Sequence, residues 1–286
     1  MRKTMLLMAA GAAFGLSSAA QADDNSWQLH GFGDISVKND YVTPRGLVVT
    51  TKGATVQVLD GLVFVAPDGI AFHAGTWLDL NPGYDHTENT TAVNEFDWFA
   101  GVDVPIAKHL KGGVEVGQFI SGQPSVAFHD ETNIEFNLKY SDTPRGGLSF
   151  NPYAKLFYAV HGDSTVVLGD KGHTFDVELG AVPTYAGKGF TLSAPTWVTV
   201  GPKTYWGSTK NYPLTVPGQN FGVISTGLKA AMPLTMLKGG GGASVYAFGQ
   251  YYHIINDNLV TSESLLNGGA NKRDRVVFGV GFGFGF

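Results

Sequence analysis

Segments of about ten residues, in which large apolar side chains alternate with glycine, polar or charged ones, recur along the chain, and the closing RVVFGVGFGFGF, Arg275 to Phe286, is the most regular of them. Successive side chains of a strand point to opposite sides, so a period of two marks a strand whose faces meet different surroundings. Phe278, Val280, Phe282, Phe284 and Phe286 share one face, and Val277, Gly279, Gly281, Gly283 and Gly285 the other. A soluble sheet usually carries polar residues on that second face. Glycine there indicates tight space or a close neighbouring backbone.

The opening residues suit export. Arg2 and Lys3 precede an apolar stretch from Met5 to Leu16, and Ala20-Gln21-Ala22 forms an A-x-A cleavage site, so residues 1–22 read as a signal peptide and 23–286 as one β-barrel domain. The apolar run is too short to span about 30 Å of hydrocarbon, which argues against an anchor. Loss of Arg2 and Lys3 takes the formal charge from -5 to -7, a mild acidity that argues against nucleic acid as a partner. With no cysteine the chain forms no disulfides. Charged residues make up only 15%, against about 25% in an average soluble domain, and no apolar run of 18 residues follows the signal. Helical spans are thereby excluded, and the closed transmembrane barrel is the membrane architecture left.

Strands are expected near 28–40, 54–66, 69–81, 94–105, 112–121, 132–142, 147–161, 173–186, 189–202, 219–232, 242–256 and 274–286, an even count of twelve. Pro67-Asp68-Gly69, Thr143 to Gly146 and Gly187-Lys188 are turn signals, and Pro105 to Lys111 and Pro233 to Gly241 are slightly longer connections. All five fall on one side, the periplasmic one if residue 23 starts there. The longer, more polar connections fall on the other side; the first of them, around Thr43 to Gly53, has the weakest boundaries. Asp60 shares parity with Val58 and Leu62, for which a bulge near Asp60-Gly61 is the expected remedy.

The polar faces of these strands should line the lumen, because a charge on the lipid face is costly. The inward candidates are Asp79, Glu95, Asp97, Asp103, Glu115, Glu135, Asp176 and Glu178, with Lys139, Lys155 and Lys229 opposing them. Rings of carboxylates favour cations in pores. The alternative is that these charges pair across a filled, non-conducting lumen. Trp77, Trp98, Trp197 and Trp206 are candidates for interfacial girdles, although Trp77 and Trp197 carry inward parity.

SVKNDYVTPRGLVVTTKGATVQV (Ser36 to Val58), GIAFHAGTWLDL (Gly69 to Leu80) and EFDWFAGVDV (Glu95 to Val104) together resemble the opening of the TorF-like family of bacterial outer-membrane proteins, whose members are read as porins. The shared positions are Asp40, Tyr41, Val42, Arg45, Gly46, Gly75, Trp77, Glu95 and Asp97. Thr43 and Pro44 depart from the pattern, and the match covers roughly the first 100 mature residues. The resemblance implies a porin without naming a solute. The terminal row Phe278, Val280, Phe282, Phe284 and Phe286 also resembles the C-terminal signal by which outer-membrane barrels engage their assembly machinery. Lipid and lipopolysaccharide are the other expected partners.

Catalysis has little footing. His161-Gly162-Asp163-Ser164 is the one place where histidine, serine and a carboxylate crowd together, and it reads as a strand end entering a turn, with an outer-membrane lipid hydrolase as the sharper alternative. The histidines lack zinc-site spacing, so neither metal nor cofactor is expected. Asp85, Glu88, Asp130 and Glu131 are placed in outer loops as solvated acids, with divalent cations bridging lipopolysaccharide as the alternative. Gly239 to Gly242 reads as turn, not phosphate loop.

Overall fold

The computed structural model describes residues 26–50, 53–82, 92–122, 130–162, 168–210, 215–216, 219–234, 242–267 and 271–286. The expected signal peptide lies outside them. Twelve strands form the wall: β1 (Gln28–Lys38), β2 (Thr55–Val65), β3 (Ala71–Leu80), β4 (Val93–Ala107), β5 (Leu110–Ser121), β6 (Glu131–Tyr140), β7 (Pro152–His161), β8 (Thr174–Ala181), β9 (Thr196–Val200), β10 (Phe221–Pro233), β11 (Ala243–Ile254) and β12 (Asp274–Gly285). Each pairs antiparallel with its neighbours in the chain, and β12 pairs with β1, from Phe32 opposite Gly285 to Lys38 opposite Gly279. The sheet is therefore a closed ring without an edge.

Three strands are broken by residues that cannot sit in a ladder. Leu148–Ser149 precedes β7 across Asn151, whose φ is 51°, while Thr184–Ala186 continues β8 across Pro183 and Thr191–Ser193 leads into β9 across Pro195. Backbone bonds bridge the interruptions, as Ala194 N donates to Pro183 O at 2.8 Å. Gly69, with φ +86°, closes the turn after β2. The connection expected over 105–111 is shorter than its sequence suggests: β4 runs on through Pro105 to Ala107, with a register irregularity between the two, and reverses at Lys108-His109. The short or turn-like connections mark one end of the barrel; the end carrying the longer ones is called the outer end below.

Large apolar side chains are exposed around the ring, from Leu29 and Ile35 on β1 through Phe72, Phe136 and Leu228 to Phe278 and Val280 on β12. Water would penalise such a surface and hydrocarbon accepts it. Trp27, Phe64 and Phe72 cluster toward the end with the short turns, with ring centroids 5.1 and 6.4 Å from Trp27.

Asp60 corrects the sequence reading. β2 keeps unbroken register with both β1 and β3, so there is no bulge at Asp60-Gly61. Its carboxylate instead faces outward and accepts a 2.7 Å hydrogen bond from Thr76 Oγ1 on β3. Replacing Asp60 by Leu is expected to raise resistance to urea unfolding in detergent micelles by about 1 kcal/mol, since an acid on the lipid face costs less than the 2–4 kcal/mol of a base. Loss of stability in D60L would show that the Asp60–Thr76 bond outweighs that penalty.

The terminal alternation has a packing cause on each face. Inside, a Cβ on Gly281 would strike the Tyr246 ring and one on Gly279 the Phe248 ring, both from β11. Outside, the Phe284 and Phe286 rings lie over Gly33 and Gly31 of β1. Glycine on one strand is roofed by an aromatic ring from its neighbour, on the inner face where β12 meets β11 and on the outer face where it meets β1. The same pairing recurs inside the wall at Gly61 under Phe32, Gly75 under Phe99 and Gly180 under Tyr153.

Candidate functional site: the lumen and its inward hairpin

The connection between β1 and β2 folds into the barrel. Tyr41–Val42 pairs with Val48–Thr50 as a short hairpin, turned by Thr43-Pro44-Arg45-Gly46. Thr43 shapes that turn: its backbone N–H donates to Leu47 O at 2.8 Å and its hydroxyl accepts from Leu47 N at 3.1 Å. Gly46 has φ +91°, and a Cβ there would come within 2.9 Å of Val223 Cβ, so this position requires glycine on both counts. Leu47 and Val48 are fully buried.

Hydrogen bonds tie the hairpin to the wall. Trp197 Nε1 on β9 donates to Pro44 O at 2.9 Å, and Tyr41 donates its hydroxyl to Glu95 Oε2 on β4 at 2.9 Å. Arg45 stands at the tip and is buried. Its guanidinium carbon lies 4.1 Å from the centre of the Phe157 ring and 5.5 Å from that of Phe119, and Nε approaches Asp176 Oδ1 at 3.9 Å. Cation–π contact and charge pairing together hold a desolvated cation.

Above the hairpin, the outer connections complete a second core. Helix α1 (Lys203–Trp206) supplies Tyr205 and Trp206, and helix α2 (Asp257–Asn267) supplies Leu259; these pack with Val42 and Val48 of the hairpin and with Val223, Tyr252, Ile254 and Val277 of the wall. The buried Glu263 of α2 pairs with Arg275 of β12. The outer mouth is thus filled by protein.

Beneath the hairpin a cavity of about 360 Å³ runs toward the end with the short turns, reaching Tyr140, Asn151 and Pro152. Of the sequence-derived inward candidates, Glu95, Asp97, Glu115, Glu135, Lys139, Lys155 and Glu178 line it, as does Lys229. Lys155 pairs with Glu135 at 3.5 Å, and His73 Nε2 meets Glu115 Oε2 at 2.8 Å. Asp79, Asp103 and Asp176 face inward but do not border the cavity. Asp79 is fully buried and accepts hydrogen bonds from Thr55 (2.6 Å), Gln57 (2.9 Å) and Asn94 (2.9 Å), an anchor between strands. Asp176 serves Arg45.

Sequence reasoning passed over Asp34, Lys38, Asp40 and Arg45 as lining residues. Asp34 and Lys38 share inward parity on β1 with Phe32 and Ser36, a signal that was available. Tyr246 donates to Asp34 Oδ1 at 2.7 Å, and Lys38 donates to Gln57 Oε1. Trp77 and Trp197 face the lumen and Trp98 faces outward, but Trp206 is wholly buried in the mouth and belongs to no girdle. Glu131 is another correction: it opens β6 and is buried, not a solvated loop acid, while Asp130 accepts from Ser121 N at 3.0 Å. Asp163, Ser164, Asp85, Glu88 and residues 239–241 lie outside the described residues. Among the described residues, no group of three or more His, Asp or Glu side chains is placed to hold a metal ion.

A ring closed without an edge, an apolar outer belt and a charged lumen crossed by a loop define a β-barrel of the outer-membrane kind. No family model and no curated protein matches the chain. Among solved structures it is similar to the NanC porin, with a TM-score of 0.49 and 9% identity over 89% of this chain and 98% of that one. It is also similar to a bacterial polysaccharide outer membrane secretin (TM-score 0.44, 11% identity, 90% and 97% covered) and to Pseudomonas putida OprB (TM-score 0.38, 10% identity, 92% and 95% covered). These are likenesses of barrel architecture alone.

Proposed function

We propose that this chain is an outer-membrane porin that passes small hydrophilic solutes, with a preference for cations, and that the hairpin of residues 41–50 keeps its lumen narrow. The observation that carries the reading is the charge of the cavity wall: seven carboxylates, Asp34, Asp40, Glu95, Asp97, Glu115, Glu135 and Glu178, face five cations, Lys38, Arg45, Lys139, Lys155 and Lys229. An acidic excess raises the local concentration of cations and lowers that of anions. The resemblance to the TorF-like family supports a porin without bearing on its solute, and the shared positions Tyr41, Arg45, Trp77, Glu95 and Asp97 all border this cavity. In this reading the β12 row from Phe278 to Phe286 is what the barrel-assembly machinery engages, and lipopolysaccharide surrounds the outer end.

The packed outer mouth favours a second reading, a scaffold barrel that conducts nothing. Planar bilayers separate the two. Under a salt gradient the porin is expected to give discrete current steps and a reversal potential displaced toward the cation equilibrium value. Anion preference would overturn the selectivity, and silence from both wild type and a hairpin-deleted variant would leave the scaffold.

A further inference from the structure

We infer that the cavity beneath the hairpin is a saturable binding site for a small organic cation, one carrying ammonium or guanidinium groups on a short carbon skeleton; the inference rests on the porin reading for how the solute arrives. Three carboxylates on different parts of the wall hold the argument. Asp34 on β1, Asp97 on β4 and Glu178 on β8 border the cavity, are only 7%, 8% and 4% exposed, and each keeps one oxygen, Oδ2, Oδ1 and Oε2 respectively, without a hydrogen-bond partner in the protein. A buried acceptor left unmatched costs about 1–3 kcal/mol, and more when charged. Of the cations that border the cavity, Lys155 pairs with Glu135, Arg45 with Asp176 and Lys38 with Gln57, while Lys229, which attracts Asp34 through space, lies 3.6 Å from the centre of the Tyr246 ring; none bonds the three free oxygens.

The volume and the walls narrow the class. At roughly 30 Å³ per water, 360 Å³ admits a solute of about ten non-hydrogen atoms. Register places Asp34, Leu59, Trp77 and Asp97 in one row across four strands, so the two acids stand about 14 Å apart along the wall. Acceptors so spread surround a solute with several donors. They do not make the compact oxygen shell that calcium or magnesium needs. Trp77 between them, and Trp197 across the lumen, offer aromatic faces to a desolvated cation. A neutral polyol would satisfy the same oxygens but leave the excess negative charge uncompensated, which favours the cation.

Isothermal titration of the full-length mature protein in detergent micelles tests this, with 1,5-diaminopentane and arginine as probes and glucose as the neutral comparison, at constant ionic strength. Saturable binding of either cation at one site per chain is expected, with no heat from glucose. Asp97→Asn and Glu178→Gln should each weaken it at least tenfold while keeping the heat-modifiable mobility of a folded barrel on gels. Trp77→Leu, which removes no charge, should weaken it as well and serves if a carboxylate variant fails to fold. Glucose binding as tightly as the cations, a linear isotherm, or affinity unchanged in all three variants would each overturn the inference. Conduction without binding discards the site and keeps the porin; binding without conduction does the reverse.

Discussion

Replacing residues 41–50 by a short glycine-serine link is expected to raise single-channel conductance several-fold and to make the current insensitive to the residue at 157. The hairpin crosses the lumen, reaching from Tyr41 on Glu95 of β4 to Pro44 on Trp197 of β9. Arg45→Ala is the milder version. It removes the cation seated over Phe157 and beside Asp176, so conductance should rise and cation preference should sharpen, because the carboxylate then faces the lumen uncompensated. The deletion should also cost stability, about 3 kcal/mol or more for the fully buried Leu47 and Val48 together, seen as a lower midpoint in urea titrations in micelles. Unaltered conductance in the deletion variant would show that the obstruction is the α1 and α2 layer and not the hairpin.

The second large effect concerns the last residue. Phe286 and Phe284 lie over Gly31 and Gly33 on the outer face of the closing seam, where the surrounding hydrocarbon is as apolar as the rings. Their contact is therefore dispersion and fit, without a hydrophobic driving force. Removing Phe286 also takes away two backbone hydrogen bonds with Gly31, at 2.9 and 3.0 Å, so it should lower the stability of barrel refolded into detergent by about 1–3 kcal/mol. In cells the same deletion should reduce folded protein in the outer membrane to a small fraction, if that residue is what the assembly machinery reads. Parallel measurement of refolding in vitro and of heat-modifiable protein in membrane fractions checks both halves. Equal losses in the two would make the residue a structural one only.

Strands were legible because their cause is local. Alternation along the chain and turn residues at its reversals place ten of the twelve strand starts within two residues of where they occur, and even the broken strands fall inside the expected segments 147–161, 173–186 and 189–202. The hairpin was not, and one tetrapeptide shows why. Thr-Pro-Arg-Gly occurs twice, at 43–46 and at 143–146. The first is buried in the lumen apart from Pro44; the second is exposed at a short turn of the barrel, where Arg145 N donates to Leu148 O at 2.9 Å. Identical residues meet opposite surroundings because the flanks differ: Tyr41-Val42 and Leu47-Val48-Val49 are too apolar for a loop left in water, and that was the signal to follow. Val260 beside the fully buried Leu259 gave a similar hint for α2, in a segment expected as a polar outer loop. Asp79 could not be read as an anchor, since Thr55, Gln57 and Asn94 reach it only once three strands are in register.

The sealing core joins the two ends of the chain. Val42 and Val48 follow the first strand, yet they pack on Ile254 and Val277, which come from the last two. Their full packing surface is absent until the last two strands are in place. The stopper therefore cannot be completely seated before those strands have joined the ring, which couples closure of the wall to filling of the bore.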